Sequence, residues 1–363
     1  NMMRAEDYRR DKTRPFTGAE YLESLRDGRE VYINGERIAD VTAHPAMRNS
    51  VRSLARLYDA LHDPKTRDRL TAPTDTGSDG YTHKYFRVAR SSAELVAQQG
   101  AIADWARMSY GWMGRTADYK AALMNTLGAN ADWYGPFKDN ALAWHKRAQE
   151  SVLFMNHAIV NPPIDRHKPA DAVKDVFVHI TRETDAGIYV SGAKVVATSS
   201  ALTHYNFLAQ SSATVTEDPS LSVMFIVPMN APGIKMFCRV SYEQTANTVG
   251  HPFDYPLSSR FDENDAILVL DNVFVPWEDV LVLRDAAKIL SFHPASGFMH
   301  GYCFQGCTRF AVKLDFLAGL LAKALRATGG DAFRGNQAVL GEVIALRHMF
   351  WSFSNAMACN PLP

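Results

Sequence analysis

The apolar residues of this chain change their spacing twice, and that change limits the folds available to it. Through roughly residues 1–160 they recur at helical intervals, as Val51, Leu54 and Tyr58 do. Residues 170–290 instead carry short β-branched and aromatic runs that turn-forming residues separate. Helical spacing then returns towards the C-terminus. A chain with an all-β middle between helical ends is predicted to be an α+β protein whose centre is a sandwich or barrel.

Local signals support a division of the chain into three structural units. The predicted units are an N-terminal helical domain with a small hairpin (1–160), a central β domain (161–290) and the start of a C-terminal helical domain (291–363). Thr17 and Glu20 form a capping-box pattern, which predicts the start of a helix. Asn34 and Gly35 predict a tight hairpin turn, and Gly329 predicts the end of a C-terminal helix.

Charge balance and cysteine usage exclude several classes of protein. Lys+Arg and Asp+Glu both number 39, so no net field would draw the chain to nucleic acid or an anionic membrane. We find no apolar run of about eighteen residues, and the charged N-terminus does not resemble a signal peptide.

None of the four cysteines has a CxxC partner, which indicates free thiols in a reducing, cytoplasmic compartment and gives no metal site. The neutral surface is compatible with a homo-oligomer, either a dimer or a tetramer.

A Gly-Arg-Thr-Ala-Asp-Tyr segment at residues 114–119 brings together two side chains that suit an anionic ligand. Arg115 and Tyr119 are four residues apart, so on a helix they would project from the same face. Arginine supplies a permanent cation with five donors, and tyrosine supplies a phenolic hydroxyl. Taken alone, such a pair is more often a surface neighbour of an acidic residue, here Asp118, than a ligand site.

A second candidate segment, Met-Asn-His-Ala-Ile-Val-Asn-Pro-Pro-Ile-Asp-Arg, covers residues 155–166. His157 could donate a hydrogen bond to a bound anion, and a proline-stiffened loop follows it. A single histidine at the end of an apolar helix is nevertheless more often a satisfied core residue. Residues 196–205 form a hydroxyl-rich run after a predicted strand, which suits the edge of a heterocycle or simply an ordinary turn.

Further motifs give the chain a family resemblance. Asp-Asn-Val-Phe-Val-Pro at residues 271–276, together with the α–β–α order, resembles the acyl-CoA dehydrogenase superfamily. Leu-Ser-Ser-Arg-Phe-Asp-Glu-Asn-Asp (257–265) and Phe-Gln-Gly-Cys-Thr-Arg (304–309) follow the two segments above in the chain. In this order the motifs are similar to those of the oxygenase components of 4-hydroxyphenylacetate 3-monooxygenases, and the resemblance covers nearly the whole chain. It implies an acyl-CoA dehydrogenase-like fold, with a further C-terminal helical region after residue 363 that contributes to the flavin site.

The same resemblance implies roles for individual residues. It assigns Arg115, Tyr119 and His157 to the surroundings of a substrate's phenolic oxygen, which favours the functional interpretation of these residues over the structural one. Ser212 falls near a substrate-contacting position, although its neighbour Ala213 lacks the hydroxyl expected there. The residues that match flavin-contacting segments of the family are His157, Ala158, Ile159, Pro163, Ile164, Asp165, Arg166 and Thr198.

The implied reaction is the hydroxylation of a 4-substituted phenol next to its hydroxyl group. In this family, reduced FAD and O2 form a C4a-hydroperoxide that delivers oxygen to the ring. The sequence has no GxGxxG loop after a strand and no GxxxxGK[ST], so NADH would not bind through a known loop. We therefore expect a separate NAD(P)H-flavin reductase that supplies FADH2 by diffusion. The substrate is either a free 4-hydroxyphenyl compound or a tyrosine derivative tethered to a carrier protein.

Three alternatives remain beside this hypothesis. An acyl-CoA dehydrogenase would need a carboxylate base, for which Glu278 and Glu342 are the candidates. A 4-hydroxybutyryl-CoA dehydratase would bind an iron–sulfur cluster, and His300 and Cys307 have a suggestive spacing. However, the first cysteine of the chain is Cys238, so the N-terminal helices offer no thiolate to such a cluster. A non-catalytic flavin-binding or interaction module has no sequence feature in its favour.

Overall fold

The α-helices occupy both ends of the chain. A computed structural model describes residues 3–164, 167–211, 214 and 217–362. The α-helices within these residues are α1 (Gly18–Ser24), α2 (Arg48–Ala60), α3 (Arg67–Leu70), α4 (Ser92–Arg107), α5 (Ala117–Ala129), α6 (Lys138–Ser151), α7 (Tyr242–Val249), α8 (Ala286–Ala295), α9 (Phe298–Thr328) and α10 (Arg334–Cys359).

The strands lie mainly between α6 and α8. Those in the described residues are β1 (Glu30–Ile33), β2 (Glu36–Ile38), β3 (Thr71–Pro73), β4 (Tyr81–His83), β5 (Met155–Ala158), β6 (His179–Thr184), β7 (Gly187–Lys194), β8 (Tyr205–Leu208), β9 (Val223–Pro228), β10 (Ile234–Cys238), β11 (Ala266–Pro276) and β12 (Val280–Leu283). They form a six-stranded sheet in the order β2-β1-β10-β11-β7-β6, a four-stranded sheet in the order β12-β9-β8-β5, and the pair β3-β4.

Two pairings join distant parts of the chain. The N-terminal hairpin extends the larger sheet because β1 pairs in parallel with β10, with Val31 opposite Met236. In the smaller sheet β5 pairs in parallel with β8, with His157 opposite Phe207. Buried side chains of both sheets and of the surrounding helices belong to one continuous hydrophobic core, so sheets and helices stabilise each other.

Several local predictions are confirmed by the hydrogen bonds at element ends. The Thr17 side chain accepts from the Glu20 amide and the Glu20 side chain accepts from the Thr17 amide, which completes the capping box of α1. Asn34 and Gly35 both have positive φ, as a tight hairpin between β1 and β2 requires. Gly329, also at positive φ, ends α9.

Three local predictions are wrong in detail. Residues 155–158 form strand β5 and not the end of a helix, because α6 ends at a left-handed Val152 and the chain then pairs with β8. The strand predicted at residues 176–180 begins only at His179. Arg115 does not lie on a helix with Tyr119, since Thr116 is the N-cap of α5. The pairing with β8 decides the structure of residues 155–158, and the cap at Thr116 decides that of Arg115.

Gly192 allows two segments of the larger sheet to approach closely. It has a φ of +136°, and a Cβ at this position would lie 2.4 Å from the Phe177 carbonyl oxygen. We expect Gly192→Ala to lower the free energy of unfolding by about 1–3 kcal/mol, because the backbone around residue 177 must shift. Urea unfolding measures this change. Gly100→Ala in α4 is the control, because no atom lies within 4 Å of its added Cβ, and it should instead stabilise the protein by about 0.5–1 kcal/mol. Equal stabilities for the two variants would contradict the prediction.

No helix among the described residues combines the length and the apolarity that crossing a bilayer requires.

Candidate active site

The backbone of Arg115 is fixed by a buried carboxylate from a distant loop. Glu263, just before β11, accepts the Gly114 amide at 2.6 Å through Oε1 and the Arg115 amide at 2.5 Å through Oε2. The loop itself is anchored because Arg239 binds Asp262 at 2.6 Å. Burial raises the pKa of Glu263, while these two amides oppose the rise. Both carboxylate oxygens are thus committed to holding the start of α5.

The guanidinium of Arg115 lies over the ring of Tyr119, with 4.5 Å between Cζ and the ring centroid. Tyr119 is only 3% exposed, and burial raises the pKa of its hydroxyl to about 12. The hydroxyl therefore stays protonated at neutral pH and is a hydrogen-bond donor. Asp118, the neighbour considered as a surface partner for Arg115, is buried and binds Thr116 and Gln305 instead.

His157 approaches this pair from the smaller sheet. Its ring lies 5.5 Å from the ring of Tyr119, and Tyr302 of α9 closes the other side at 5.7 Å from Tyr119. Burial, Lys120 and Arg115 together hold the pKa of His157 well below its ordinary value. The imidazole is therefore neutral at pH 7. Arg115, Tyr119 and His157 thus come together from the loop before α5, from α5 and from β5.

Lys120 is a member of this cluster that sequence reasoning missed. Its side chain is completely buried, and its Nζ lies 3.0 Å from Nδ1 of His157. Burial and the nearby Arg115 lower the pKa of Lys120 well below its ordinary value. A signal was present in the sequence, because Lys120 directly precedes the apolar residues 121–124, and a lysine in such a run is rarely buried without a reason.

The segment after β5, which matches flavin contacts of the family, is held by a second buried lysine. Lys194 at the end of β7 donates to the Ile159 carbonyl, to Asn161 Oδ1 and to Gln210 Oε1 at 2.8–2.9 Å. Burial lowers the pKa of Lys194 to about 7. Ala158 is buried and Ile159 is partly buried, whereas the chain reaches the surface at Pro163 and is partly buried again at Ile164. The predicted flavin contacts Asp165 and Arg166 lie outside the described residues, as does Ser212.

Thr198 lies in a strained turn beside the same segment. Its hydroxyl donates to Asp265 at 2.6 Å, and the preceding Val195 amide donates to the Val160 carbonyl. Val196 and Ser199 have φ angles of 53° and 65°, and Val196 is also 60% exposed. A β-branched residue rarely adopts positive φ, and such strain is concentrated at ligand sites.

Four buried polar atoms near these residues have no hydrogen-bond partner within the described part of the chain. Arg309 of α9 lies against the start of α5, since a Cβ at Gly114 would meet its Cζ at 3.2 Å. The unpartnered atoms are Ser199 Oγ, Asn264 Oδ1, Gln305 Oε1 and Arg309 Nε. Buried polar groups usually have partners, and a polar ligand bound beside these four atoms would supply them.

The carboxylates proposed for the alternative reactions lie elsewhere. Glu278 is 67% exposed and pairs with Arg4 at 3.5 Å, while Glu342 is an exposed residue of α10. Cys303 and Cys307 are free thiols on α9. The described residues contain no group of three or more histidine, cysteine, aspartate or glutamate side chains that could bind a metal ion.

Comparisons with known proteins identify the class as flavin-dependent aromatic monooxygenases with an acyl-CoA dehydrogenase-like fold. The chain belongs to the 4-hydroxyphenylacetate 3-hydroxylase family. It matches the N-terminal model of that family over residues 17–282 and the C-terminal model over residues 290–363. Both the family resemblance and the fold class inferred from the motifs are therefore confirmed.

Individual relatives show how far the similarity extends. The chain is 61% identical to the 4-hydroxyphenylacetate 3-monooxygenase oxygenase component of Pseudomonas aeruginosa, over 99% of this chain and 69% of the relative. It is 58% identical to a Streptomyces globisporus monooxygenase of (3S)-3-amino-3-(3-chloro-4-hydroxyphenyl)propanoyl groups on a peptidyl-carrier protein, over 97% and 66% of the two chains.

Solved structures agree with these relatives. An oxygenase component of 4-hydroxyphenylacetate 3-monooxygenase complexed with FAD and 4-hydroxyphenylacetate has a TM-score of 0.88 at 29% identity, over 94% of this chain and 71% of that one. A 4-hydroxybutyryl-CoA dehydratase from N. maritimus has a TM-score of 0.78 at 21% identity, over 96% and 69%. The second likeness shows the fold alone.

The Glu263→Gln variant tests whether the Glu263 carboxylate holds the backbone of Arg115. A glutamine has one acceptor oxygen in place of two, so one of the two amides loses its bond and the negative charge beside Arg115 disappears. We expect the free energy of unfolding to fall by about 1–3 kcal/mol and the yield of hydroxylated product per reduced flavin to fall with it. Unfolding in urea and a coupled product assay measure both effects. The exposed Glu342→Gln is the matched control, and a Glu263 variant with the same values as this control would contradict the assignment.

Proposed function

We propose that this chain is the oxygenase component of a two-component monooxygenase that hydroxylates a 4-substituted phenol next to its hydroxyl group. The proposal depends mainly on one observation. Three side chains that the sequence associates with a phenolic oxygen, Arg115, Tyr119 and His157, converge although 42 residues separate the first from the last. Ring and guanidinium contacts of 4.5 and 5.5 Å link them.

These side chains suit the anionic form of a phenol. A phenolate places more charge on its ortho carbon than a phenol does, so holding the anion activates the carbon that receives oxygen. Arg115 balances the negative charge without titrating, and Tyr119 donates a hydrogen bond from a hydroxyl that stays protonated. His157, neutral at pH 7, can accept the phenol's proton on its free ring nitrogen. Their common position also fixes the orientation of the phenol ring.

The residues beside this cluster fit a reduced FAD. A flavin ring presents both donors and acceptors along its edge, and the unpartnered Ser199, Asn264, Gln305 and Arg309 atoms offer both kinds of partner. His157, Ala158, Ile159, Pro163, Ile164, Asp165, Arg166 and Thr198 remain the proposed flavin contacts. Reduced flavin supplies, with O2, the electrophilic oxygen that the reaction needs. The protein's own contribution is binding, orientation and exclusion of water.

The buried position of the cluster supports the exclusion of water. Helix α5 is buried along most of its length, and Tyr302 of α9 covers Tyr119. A dry pocket strengthens the hydrogen bonds of Arg115 and Tyr119 to the phenolate. It also protects the reactive oxygen from water, so that reduced flavin leads to product and not to hydrogen peroxide.

The partners follow from this function. The Pseudomonas aeruginosa relative is named an oxygenase component, a name that implies a second component. We infer that it is an NAD(P)H-flavin reductase that delivers FADH2 by diffusion.

The free thiols of all four cysteines support a cytoplasmic location, and we retain a dimer or tetramer as the expected assembly. The phenol is either free or tethered to a carrier protein, because the relatives include monooxygenases named for each kind of substrate. Ser212 remains a proposed contact to it.

Turnover of a substrate panel tests the proposal. The protein is incubated with FAD, NADH, O2 and a generic flavin reductase, and hydroxylated products are measured by mass spectrometry. We expect a catechol from at least one free or carrier-bound 4-hydroxyphenyl compound, and no product when the reductase is omitted. Consumption of reduced flavin with hydrogen peroxide as the sole product for every phenol, or oxidation of an acyl-CoA, would refute the proposal.

A further inference from the structure

The completely buried side chain of Lys120 lacks an anionic partner in the described structure. Its only hydrogen-bond contact there is Nδ1 of His157 at 3.0 Å. An isolated ammonium group in an apolar interior is strongly disfavoured, because its hydration is lost without a compensating charge. Lys120 therefore either remains a neutral amine or needs an anion that the described protein residues do not supply.

The charged and titratable groups around Lys120 do not supply that anion. Arg115 and Glu263 act on Lys120 electrostatically, and its Nζ lies 5.3 Å from the centroid of the Tyr119 ring. The other charged or titratable members of the cluster, which interact with Tyr119 or Arg309, are Asp118, Tyr302 and Arg309 itself. Glu263 uses both oxygens for backbone amides, and Asp118 binds Thr116 and Gln305. Arg115 adds a second positive charge, which makes an ammonium at Lys120 still less favourable while the pocket holds no anion.

We propose that Lys120 and His157 form a proton relay that ionises the phenolic substrate. The inference rests on the function proposed above. The phenol O–H bond breaks as the second ring nitrogen of His157, Nε2, gains the proton, and the Nδ1–H bond breaks as Lys120 Nζ gains that proton. Lys120 becomes an ammonium group, the imidazole stays neutral, and the substrate becomes a phenolate. No atom or charge is gained from outside.

This relay is consistent with the electrostatics of the site both without and with bound substrate. Without substrate, burial lowers the pKa of both groups, which favours the uncharged amine and the uncharged imidazole. With substrate, the new ammonium and the phenolate balance each other across the His157 ring. His157 then donates from Nε2 to the phenolate oxygen, beside Arg115 and Tyr119. Lys120 contacts His157 and not the substrate, so it is a positioning residue that sets which ring nitrogen carries the proton.

The ionisation of bound 4-nitrophenol measures the relay without any flavin, because the anion has its own visible absorption band. The phenol is titrated into the full-length flavin-free protein over a series of pH values. In the wild type, we expect the pKa of the bound phenol to lie below that of the free phenol. Lys120→Met should raise the bound value by about 1–3 units relative to wild type, because the paired ammonium is lost. Thr126→Val, a buried substitution on the same helix, is the control and should behave as the wild type.

A second variant separates the relay from a structural role. Lys120→Gln keeps a polar amide on a slightly shorter side chain but cannot take up a proton. We expect it to raise the pKa of the bound phenol as Lys120→Met does, whereas a structural lysine would be rescued by the glutamine. Circular dichroism and thermal melting verify that each variant is folded. The relay is refuted if the wild type binds the phenolate but either folded variant leaves the pKa of the bound phenol unchanged. The proposed function is not affected by that outcome. A wild type that binds neither 4-nitrophenol nor any free or carrier-bound phenol of the substrate panel refutes the proposed function itself.

Discussion

Arg115→Ala is expected to lower kcat/KM for hydroxylation by about 10²–10³-fold while reduced flavin continues to be oxidised. Removing one donor that stabilises a developing anion typically costs about 2.7–4 kcal/mol of transition-state stabilisation. Without the guanidinium, which lies over the Tyr119 ring, the phenolate is less favoured and the substrate is held less firmly. Oxygen activation does not depend on this side chain in our proposal, so electrons should pass increasingly to hydrogen peroxide. Product and peroxide measured per NADH consumed give the coupling ratio.

The variant should remain folded, which makes the result interpretable. Glu263 binds the backbone amide of residue 115, and the only hydrogen bond of the guanidinium in the described structure is a 3.4 Å contact with the Gly114 carbonyl. Arg115→Lys keeps the charge but loses the planar set of donors, so it should recover part of the coupling. Arg56→Ala, at an exposed position of α2, is the control. Normal coupling in Arg115→Ala would remove this residue from the mechanism.

His157→Ala is expected to lower the rate of product formation by about 10²–10⁴-fold at neutral pH, the usual contribution of a positioned acid or base. The effect should depend on pH. In the wild type the neutral imidazole is the active form, and its pKa lies well below the ordinary value because of burial, Lys120 and Arg115. Activity should therefore persist as the pH falls through about 6.5 and decline only at lower pH.

The variant should depend on pH in a higher range than the wild type. Without the imidazole, the phenol has no proton acceptor beside it and no link to Lys120. It must then ionise in solution, so the rate should rise with pH towards the pKa of the free phenol. The wild type should change little over that range. The two pH–rate profiles of product formation, recorded with saturating reduced flavin, test whether His157 is the proton acceptor. A wild-type profile with a loss of activity centred near 6.5, or a variant as insensitive to pH as the wild type, would contradict this role.

The fold class was accessible from the sequence because the signals that define it are local. Apolar spacing distinguishes helices from strands within a few turns, and the α–β–α order follows from it. The caps at Thr17 and Gly329 and the Asn34-Gly35 turn involve residues close in the chain. The strands β8 and β12 and the helices α7 and α8 were not predicted, since they are short segments without a clear period of their own.

The candidate site was predictable only in part. The motifs indicated Arg115, Tyr119 and His157, yet their assignment to a helix face and a helix end was wrong. His157 lies on a strand because β5 pairs with β8, a contact across about fifty residues. Lys120 was missed because its importance depends on the 3.0 Å contact with a residue 37 positions away. Glu263 belonged to a recognised motif, but its bonds to amides 148 and 149 residues away gave no local signal.

The sequence by itself determined the order of helices and strands, the ends of several elements and the family to which the chain belongs. These properties depend on backbone preferences and side-chain hydrogen bonds between near neighbours, which are the same wherever the segment lies. The tertiary structure alone decided that a lysine faces the histidine and that a glutamate from a loop before β11 holds the arginine. It also decided that polar atoms beside them have no hydrogen-bond partner among the residues that the structure describes. Those features arise from burial and from contacts between distant segments, and burial is what turns an ordinary lysine and histidine into a pair whose charges depend on the ligand.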